Sequence, residues 1–217
     1  MNPLRVRVKI CGITSVKDAM AAADVGVDAV GLVFYPRSKR YVTIEQACAI
    51  RDCLPPFVTL VGLFLDADRE EVHSILTQVA VDVLQFHGLE NERQCTGYGR
   101  PYIKALSYRR TGEFDRMAAD FPHAQGFLID GHEEGGAGGT GREWITGNEW
   151  NAGDINQPWI LAGGLTASNV QGAILRARPW GVDVSSGVEN APGIKDGVKM
   201  LEFMRAVRIA ESMIYKE

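Results

Sequence analysis

Four side chains able to move a proton stand at the ends of apolar runs in this sequence: Cys11 closes VRVKIC, His87 follows VLQF, Asp130 closes GFLID, and Asp183 lies in VDVSS. Thiol, imidazole and carboxyl groups are the usual donors and acceptors of protons in catalysis. Lys9 stands two residues before Cys11, and a cation nearby favours a thiolate. Cys11 therefore reads either as a small buried hydrophobe or as a base. His87 reads either as a hydrogen-bonded structural histidine or as a participant, and Asp130 either as a turn residue or as an acid. One fold must bring these strand ends together for any chemistry to exist.

Two glycine-containing loops suit an anion. In WILAGGLTASNV an apolar strand meets Gly163 and Gly164, then a helix expected to be capped by Thr166 or Ser168. In VDVSSGVE a strand meets Ser185, Ser186 and Gly187. Glycines let backbone N–H groups approach an anion, and a helix N-terminus adds partial positive charge, so both loops point to phosphate. A third loop, YPRSKRYV, carries Arg37, Lys39 and Arg40, and a guanidinium offers a planar two-point match to a carboxylate. A ligand with a phosphate at one end and a carboxylate at the other fits these loops.

Gly136, Gly138 and Gly141 in GAGGTG also satisfy G-x-G-x-x-G, but several polar residues separate them from the preceding strand. The region about twenty positions on is apolar, where a dinucleotide fold needs an acid. A nicotinamide or flavin role is rejected, and a mobile lid beside Asp130 is expected instead.

The elements that must position these groups are legible as alternating strand and helix patterns. Strands are expected at Val6–Ile10, Ala29–Phe34, Val58–Leu65, Val83–Phe86, Tyr102–Ala105, Gly126–Ile129, Trp159–Ala162 and Gly181–Val184. Between them, Val16, Ala19, Met20 and Ala23 fall at helical spacing, as do Val72, Ile75, Leu76 and Val79, and Ile44, Ala47 and Cys48 begin a similar stripe. Met200, Phe203, Met204, Val207, Ala210 and Ile214 form the stripe of a final helix that Asp196 caps. Eight strand–helix units in 217 residues predict an α/β fold, a single (β/α)8 TIM barrel spanning residues 1–217, with an open doubly wound sheet as the alternative. Side chains alternate across a strand. Val6, Val8 and Ile10 then face the helices, while Lys9 and Cys11 face the barrel axis, as do the pairs Gln85 with His87, Leu128 with Asp130, and Asp183 with Ser185. All meet at the carboxyl end of the barrel, where barrel enzymes keep their chemistry.

Composition narrows the class. A net charge of −4 without a block of like charge speaks against nucleic acid and polybasic membrane contacts. The longest apolar stretch, Val58–Leu65, is far short of a spanning helix, and the N-terminus reads as strand, so a cytoplasmic protein acting on a small molecule is expected. Cys11, Cys48, Cys53 and Cys95 have no C-x-x-C spacing, which predicts free thiols and no metal site. Whether the chain is a monomer or a homodimer stays open.

Together the motifs resemble one family, phosphoribosylanthranilate isomerase of tryptophan biosynthesis, across about Val6 to Val207. The match rests on KICGIT at Lys9–Thr14, FYPRSKRYV at Phe34–Val42, LPPFV at Leu54–Val58, VGLF at Val61–Phe64 and LQFHG at Leu84–Gly88. It continues through LID at Leu128–Asp130, AGGL at Ala162–Leu165, VDVSSGVE at Val182–Glu189 and PGIKD at Pro192–Asp196. The resemblance implies a cofactor-free and metal-free Amadori rearrangement of N-(5-phosphoribosyl)anthranilate to 1-(2-carboxyphenylamino)-1-deoxyribulose 5-phosphate. By the same resemblance Cys11 is the general base, Asp130 the general acid, and Arg40 the holder of the anthranilate carboxylate. Gly163, Gly164, Ser185, Ser186 and Gly187 form the phosphate site, and His87, Asp183 and Glu189 line the pocket. The sequence departs from the family after Gly141, where Arg142-Glu143-Trp144-Ile145-Thr146 replaces the usual approach to Phe-Asp-Trp. Two other readings compete: another phosphosugar barrel, disfavoured by the cysteine–aspartate pair, and a phosphate-ligand binding protein whose catalysis has decayed, suggested by the altered lid.

Overall fold

The computed structural model describes residues 5–107, 114–130 and 157–214. Eight parallel strands close into a barrel in chain order: β1 Arg7–Cys11, β2 Ala29–Val33, β3 Thr59–Phe64, β4 Val83–Phe86, β5 Tyr102–Ser107, β6 Gly126–Asp130, β7 Trp159–Ala162 and β8 Gly181–Val184. β1 pairs with β2 on one side and β8 on the other, which closes the ring and excludes the open sheet. All eight expected strands form. The differences lie at their ends, where β5 runs on to Ser107 and β6 to Asp130.

Helices α1 Val16–Asp24, α2 Ile44–Cys53, α3 Arg69–Gln78, α4 Glu92–Cys95, α5 Phe114–Ala119, α6 Val170–Ala177 and α7 Gly197–Ile214 join the strands. Their starts are fixed by side chains that satisfy otherwise unpaired N–H groups. Ser15 accepts from Asp18, Thr43 forms a reciprocal box with Gln46, Asp68 accepts from Glu71, and Asp196 Oδ1 accepts from Val198 and Lys199 as expected.

The main core lies between barrel and helices. Val6, Val8 and Ile10 join it from β1, and Met200, Phe203, Met204, Val207 and Ala210 from α7. Each fully buried Leu, Ile or Phe side chain contributes roughly 1.5–3 kcal/mol. One helix face differs from its expected stripe. In α1, Ala19 and Ala22 are buried whereas Val16 and Met20 are exposed. The small alanine face admits Asp18 to the interior, where its carboxylate accepts from the Lys195 backbone N–H at 3.2 Å.

Inside the barrel, Cys11, Val33 and Leu63 form one small cluster with Tyr35, and Leu128, Ile160 and Ala162 form another with Ile103, Ala105 and Trp180. The strand parity therefore separates interior from helix layer as the alternation required. After β8 the chain makes a 3-10 turn, Ser186–Val188, and a short hairpin of β9 Glu189–Ala191 and β10 Ile194–Lys195 before α7. This hairpin, turned at Pro192-Gly193, is not among the expected strands.

Candidate active site

Cys11 is the last residue of β1, buried and turned into the barrel. Its partner on β2 is Gly31, where an added Cβ would stand 2.9 Å from Cys11 Sγ and 3.3 Å from Lys9 Cε. A glycine there makes room for the thiol. Lys9, two residues back on the same face, donates to Asp183 Oδ1 at 2.7 Å, and its charge acts on the Cys11 thiol. Lys9 and Asp183 are paired in register across β1 and β8, and both side chains are nearly inaccessible to water.

Burial pushes the Cys11 thiol above its ordinary value, and the opposing cations Lys9 and Lys195 do not cancel that effect. Lys9 does favour the thiolate, as expected, but desolvation of the charged form is the larger effect. A thiolate formed there is a strong base. Burial works against the charge of Lys9 as well, yet Asp183 and Cys11 together hold its ammonium above the usual lysine value. Asp183 itself is pushed up by burial against the pull of Lys9.

Asp183 connects this wall of the barrel to the opposite one, because it also feels the charges of Asp130 and His87. Asp130 ends β6, and His87 Nε2 stands 3.6 Å from Asp130 Oδ2. Gln85, fully buried, points its amide nitrogen at His87 Nδ1 at 3.2 Å. This contact lies on the ring edge away from Asp130, because His87 Nε2 is the atom that approaches the carboxylate. The residues that strand parity grouped, Cys11, Gln85, His87, Asp130 and Asp183, thus share one mouth.

Arg40, from the loop after β2, lies across Gly12, where a Cβ would overlap the Arg40 side chain. Gly12 also has φ +74°, so both space and backbone require glycine. Arg40 donates through Nε to Glu189 Oε1 at 2.8 Å and through Nη2 to Glu189 Oε2 at 2.7 Å. The residue expected to hold a carboxylate is therefore clamped by one from its own chain, and Glu189, expected to line the pocket, is its partner. That hydrogen-bonded pairing holds the Arg40 guanidinium above its usual value. Glu189 is held low: burial acts against its charge, but Arg40 and Lys195 outweigh it.

Lys195 escaped the sequence reading except as a letter of PGIKD. Its side chain is fully buried, and its ammonium donates to Glu189 Oε1 at 2.7 Å, to the Cys11 carbonyl at 2.6 Å and to the Ser185 carbonyl at 3.1 Å. No local signal distinguishes it from a surface lysine, since a neighbour of opposite exposure, Ile194, stands beside it.

The loops after β7 and β8 meet above the strands. Gly163 and Gly164 have φ of +88° and +63°, conformations open to glycine. At Gly187 a Cβ would overlap the Leu165 carbonyl oxygen, so glycine allows the two loops to touch. The helix after β7 is not capped by Thr166 or Ser168. It starts at Val170, and Asn169 uses its side chain to hold the loop instead, accepting from Thr166 N at 2.8 Å and donating to the Gly164 carbonyl at 2.9 Å. Gly163, Gly164, Ser185, Ser186 and Gly187 are thereby gathered at the same end of the barrel as Cys11, in backbone turns of the kind that receive anions.

The expected lid, Gly136–Gly141, and the departure at Arg142–Thr146 lie outside the described residues. Among the described residues no three His, Cys, Asp or Glu side chains gather as a metal-binding group, and no helix is long and apolar enough to cross a membrane. All four cysteines are free thiols.

Comparison with known proteins converges on one family. The family model described as N-(5'phosphoribosyl)anthranilate (PRA) isomerase matches residues 8–206. A relative from Pseudomonas savastanoi pv. phaseolicola named N-(5'-phosphoribosyl)anthranilate isomerase is 52% identical over 204 residues, covering 93% of this chain and 97% of its own. The crystal structure of phosphoribosyl anthranilate isomerase from Thermotoga maritima superimposes with a TM-score of 0.81 at 35% identity, covering 94% of this chain and 98% of that one. Another solved isomerase, in complex with reduced 1-(o-carboxyphenylamino)-1-deoxyribulose 5-phosphate, superimposes with a TM-score of 0.77 at 35% identity and the same coverage. With a closed eight-stranded barrel, a thiol and a carboxyl group in one mouth and paired glycine loops beside them, this chain belongs to the N-(5'-phosphoribosyl)anthranilate isomerase family.

Proposed function

We propose that this chain isomerises N-(5'-phosphoribosyl)anthranilate to 1-(2-carboxyphenylamino)-1-deoxyribulose 5-phosphate, with Cys11 as general base and Asp130 as general acid. The observation that carries the roles is the inward placement of both groups at the ends of β1 and β6, at one mouth of the barrel. Two strands separate β1 from β6 by one route around the barrel and four by the other, so the groups face a bound sugar from different walls.

Asp130 gives its proton to the furanose ring oxygen as the bond from that oxygen to C1′ breaks and the anthranilate nitrogen lone pair forms an iminium. Cys11, as thiolate, takes the C2′ proton, and the C2′–H electron pair becomes the C1′–C2′ double bond of an enolamine, neutralising the iminium nitrogen. The enolamine gains a proton at C1′ and loses the one on its C2′ hydroxyl, giving the ketose. C1′ is reduced and C2′ oxidised within one molecule, so no external electron carrier enters the balance. The raised proton affinity of Cys11 suits removal of a proton from carbon, and the charge of Lys9, on the same face of β1, stabilises the thiolate when it forms.

The phosphate is received by the turns at Gly163, Gly164, Ser185, Ser186 and Gly187. Arg40 faces the anthranilate carboxylate, with Glu189 keeping its guanidinium in one plane. His87 and Asp183 border the sugar. The partner is a small phosphosugar, and the setting is the cytoplasm. Purified protein given N-(5'-phosphoribosyl)anthranilate should extinguish its fluorescence while the ketose accumulates, and the gene should rescue a tryptophan-requiring strain. Binding of substrate without any conversion would overturn the proposal and favour a decayed enzyme.

A further inference from the structure

The buried ammonium of Lys195 touches, within hydrogen-bond distance, the backbone of the proposed base and the partner of the proposed carboxylate anchor. It contacts the Cys11 carbonyl at 2.6 Å, the Ser185 carbonyl at 3.1 Å, the Ser185 hydroxyl at 3.3 Å and Glu189 Oε1 at 2.7 Å. Glu189 in turn holds Arg40 through both of its carboxylate oxygens. Three separate segments, the end of β1, the loop after β2 and the turn after β8, therefore converge on one cation supplied by β10.

We propose that Lys195 is a positioning residue that locks Cys11, the Ser185 turn and the Arg40 anchor into one rigid unit and supplies positive charge beside the Cys11 thiolate. This rests on the reaction proposed above only for the names of the groups positioned.

The geometry carries three physical consequences. A lysine ammonium has three N–H groups, and here they are divided among a carboxylate, two carbonyls and a hydroxyl, so the side chain has no unused donor to seek elsewhere. Burial pulls the Lys195 ammonium below the usual lysine value, while Glu189 opposes that pull and gives the buried charge its partner. Finally, the same cation lies close enough to Cys11 to lower its proton affinity. The other charged groups that act on the sulfur are Lys9 from its own strand, Asp183 from β8 and Arg40 from the loop after β2. Lys9 and Lys195 favour the thiolate and Asp183 opposes it. Lys9 is paired with Asp183, whereas Lys195 is paired with Glu189, which also holds Arg40. Removing Lys195 thus takes away a cation that Asp183 does not already claim.

The test uses Lys195→Met and Lys195→Arg in the full chain. Iodoacetamide labelling of Cys11 is followed against pH and resolved from the other three thiols by peptide mass spectrometry. Lys195→Met is expected to raise the Cys11 midpoint by about one pH unit or more, the usual effect of losing a neighbouring opposite charge. Labelling and kcat/KM near neutral pH then fall about tenfold, because each unit of pKa changes the thiolate fraction about tenfold. KM rises together with the fall in kcat, since Glu189, which clamps Arg40, loses its own anchor on Lys195. Lys195→Arg, which keeps the charge, restores the midpoint in large part. If Lys195→Met does not fold, Lys195→Gln keeps the polar contacts without the charge and must show the same midpoint shift.

A midpoint within about 0.3 unit of the parent in a folded, uncharged variant would overturn the proposal, whatever the change in melting temperature, since charge proximity predicts a larger shift. Labelling needs no substrate, so the two proposals fail separately. Parent protein that does not convert the substrate refutes the reaction, whereas an active parent with an unmoved midpoint refutes the role of Lys195.

Discussion

Replacing Lys9 by Met breaks an ion pair sealed inside the barrel. The Lys9 Nζ to Asp183 Oδ1 contact is 2.7 Å, and the two side chains retain only 6% and 9% of their exposure, so Asp183 would keep its burial and lose its counter-ion. Removing one member of such a pair destabilises by about 3–5 kcal/mol. For a chain of this size each kcal/mol lowers the melting temperature by about 2–4 °C, which predicts a fall of roughly 6–20 °C. The pH dependence has a definite sign. Without Lys9, burial raises the folded-state pKa of Asp183 above its unfolded value of about 3.9. The stability of the variant is then fully present below that value and is lost as pH rises through the folded pKa, at about 1.4 kcal/mol per unit. The deficit of Lys9→Met relative to the parent should therefore grow from acid to neutral pH. The double variant Lys9→Met, Asp183→Leu removes both charges and should recover much of the loss. Circular-dichroism melts of the three proteins across pH provide the measurement. A single variant within about 1 kcal/mol of the parent at neutral pH, far below the expected loss, with no added pH dependence, would refute the account of this pair.

Gly31→Ala places a Cβ 2.9 Å from Cys11 Sγ and 3.2 Å from Cys11 Cα, so the base must move. Overpacking of this kind destabilises by about 1–3 kcal/mol, and a displaced reacting group can lower turnover by up to about a hundredfold; steady-state kinetics and a thermal melt on one preparation would check both. For Glu189→Gln the acid limb of stability should change. The folded-state pKa of Glu189 is depressed below its unfolded value of about 4.3, so its contribution is present above that value and lost as pH falls through the folded pKa. The variant should thus be less stable than the parent at neutral pH and approach it under acid, as denaturant titrations at several pH values would record.

The barrel was legible because its strands are short apolar runs of regular spacing and its interior differs chemically from its helix layer. Alternation alone assigned Lys9, Cys11, Gln85 and Asp183 to the axis, since a charged or amide side chain could not be placed among Val8, Ile10 and Val182. The polarity of the α1 faces was misleading because Asp18 turns inward to serve Lys195, a partner 177 residues away. The clamp of Glu189 on Arg40 spans 149 residues and leaves no local trace. Lys195 sits on a two-residue strand of an irregular hairpin, too short for any period to register. The net proton affinity of Cys11 is hidden for a related reason: the pull of Lys9 toward thiolate is visible in sequence, whereas the degree of desolvation depends on the whole barrel. Local pattern thus located the reacting groups, and long-range pairing determined how they are held.

The account depends most on the division of labour between one sulfur and one carboxyl group. Cys11→Ser and Asp130→Asn should each lower conversion of N-(5'-phosphoribosyl)anthranilate by about a hundredfold to ten-thousandfold, the usual contribution of a general acid or base. Both should still bind 1-(2-carboxyphenylamino)-1-deoxyribulose 5-phosphate with parental affinity. Turnover at the parental rate in either variant would contradict the role assigned to that residue.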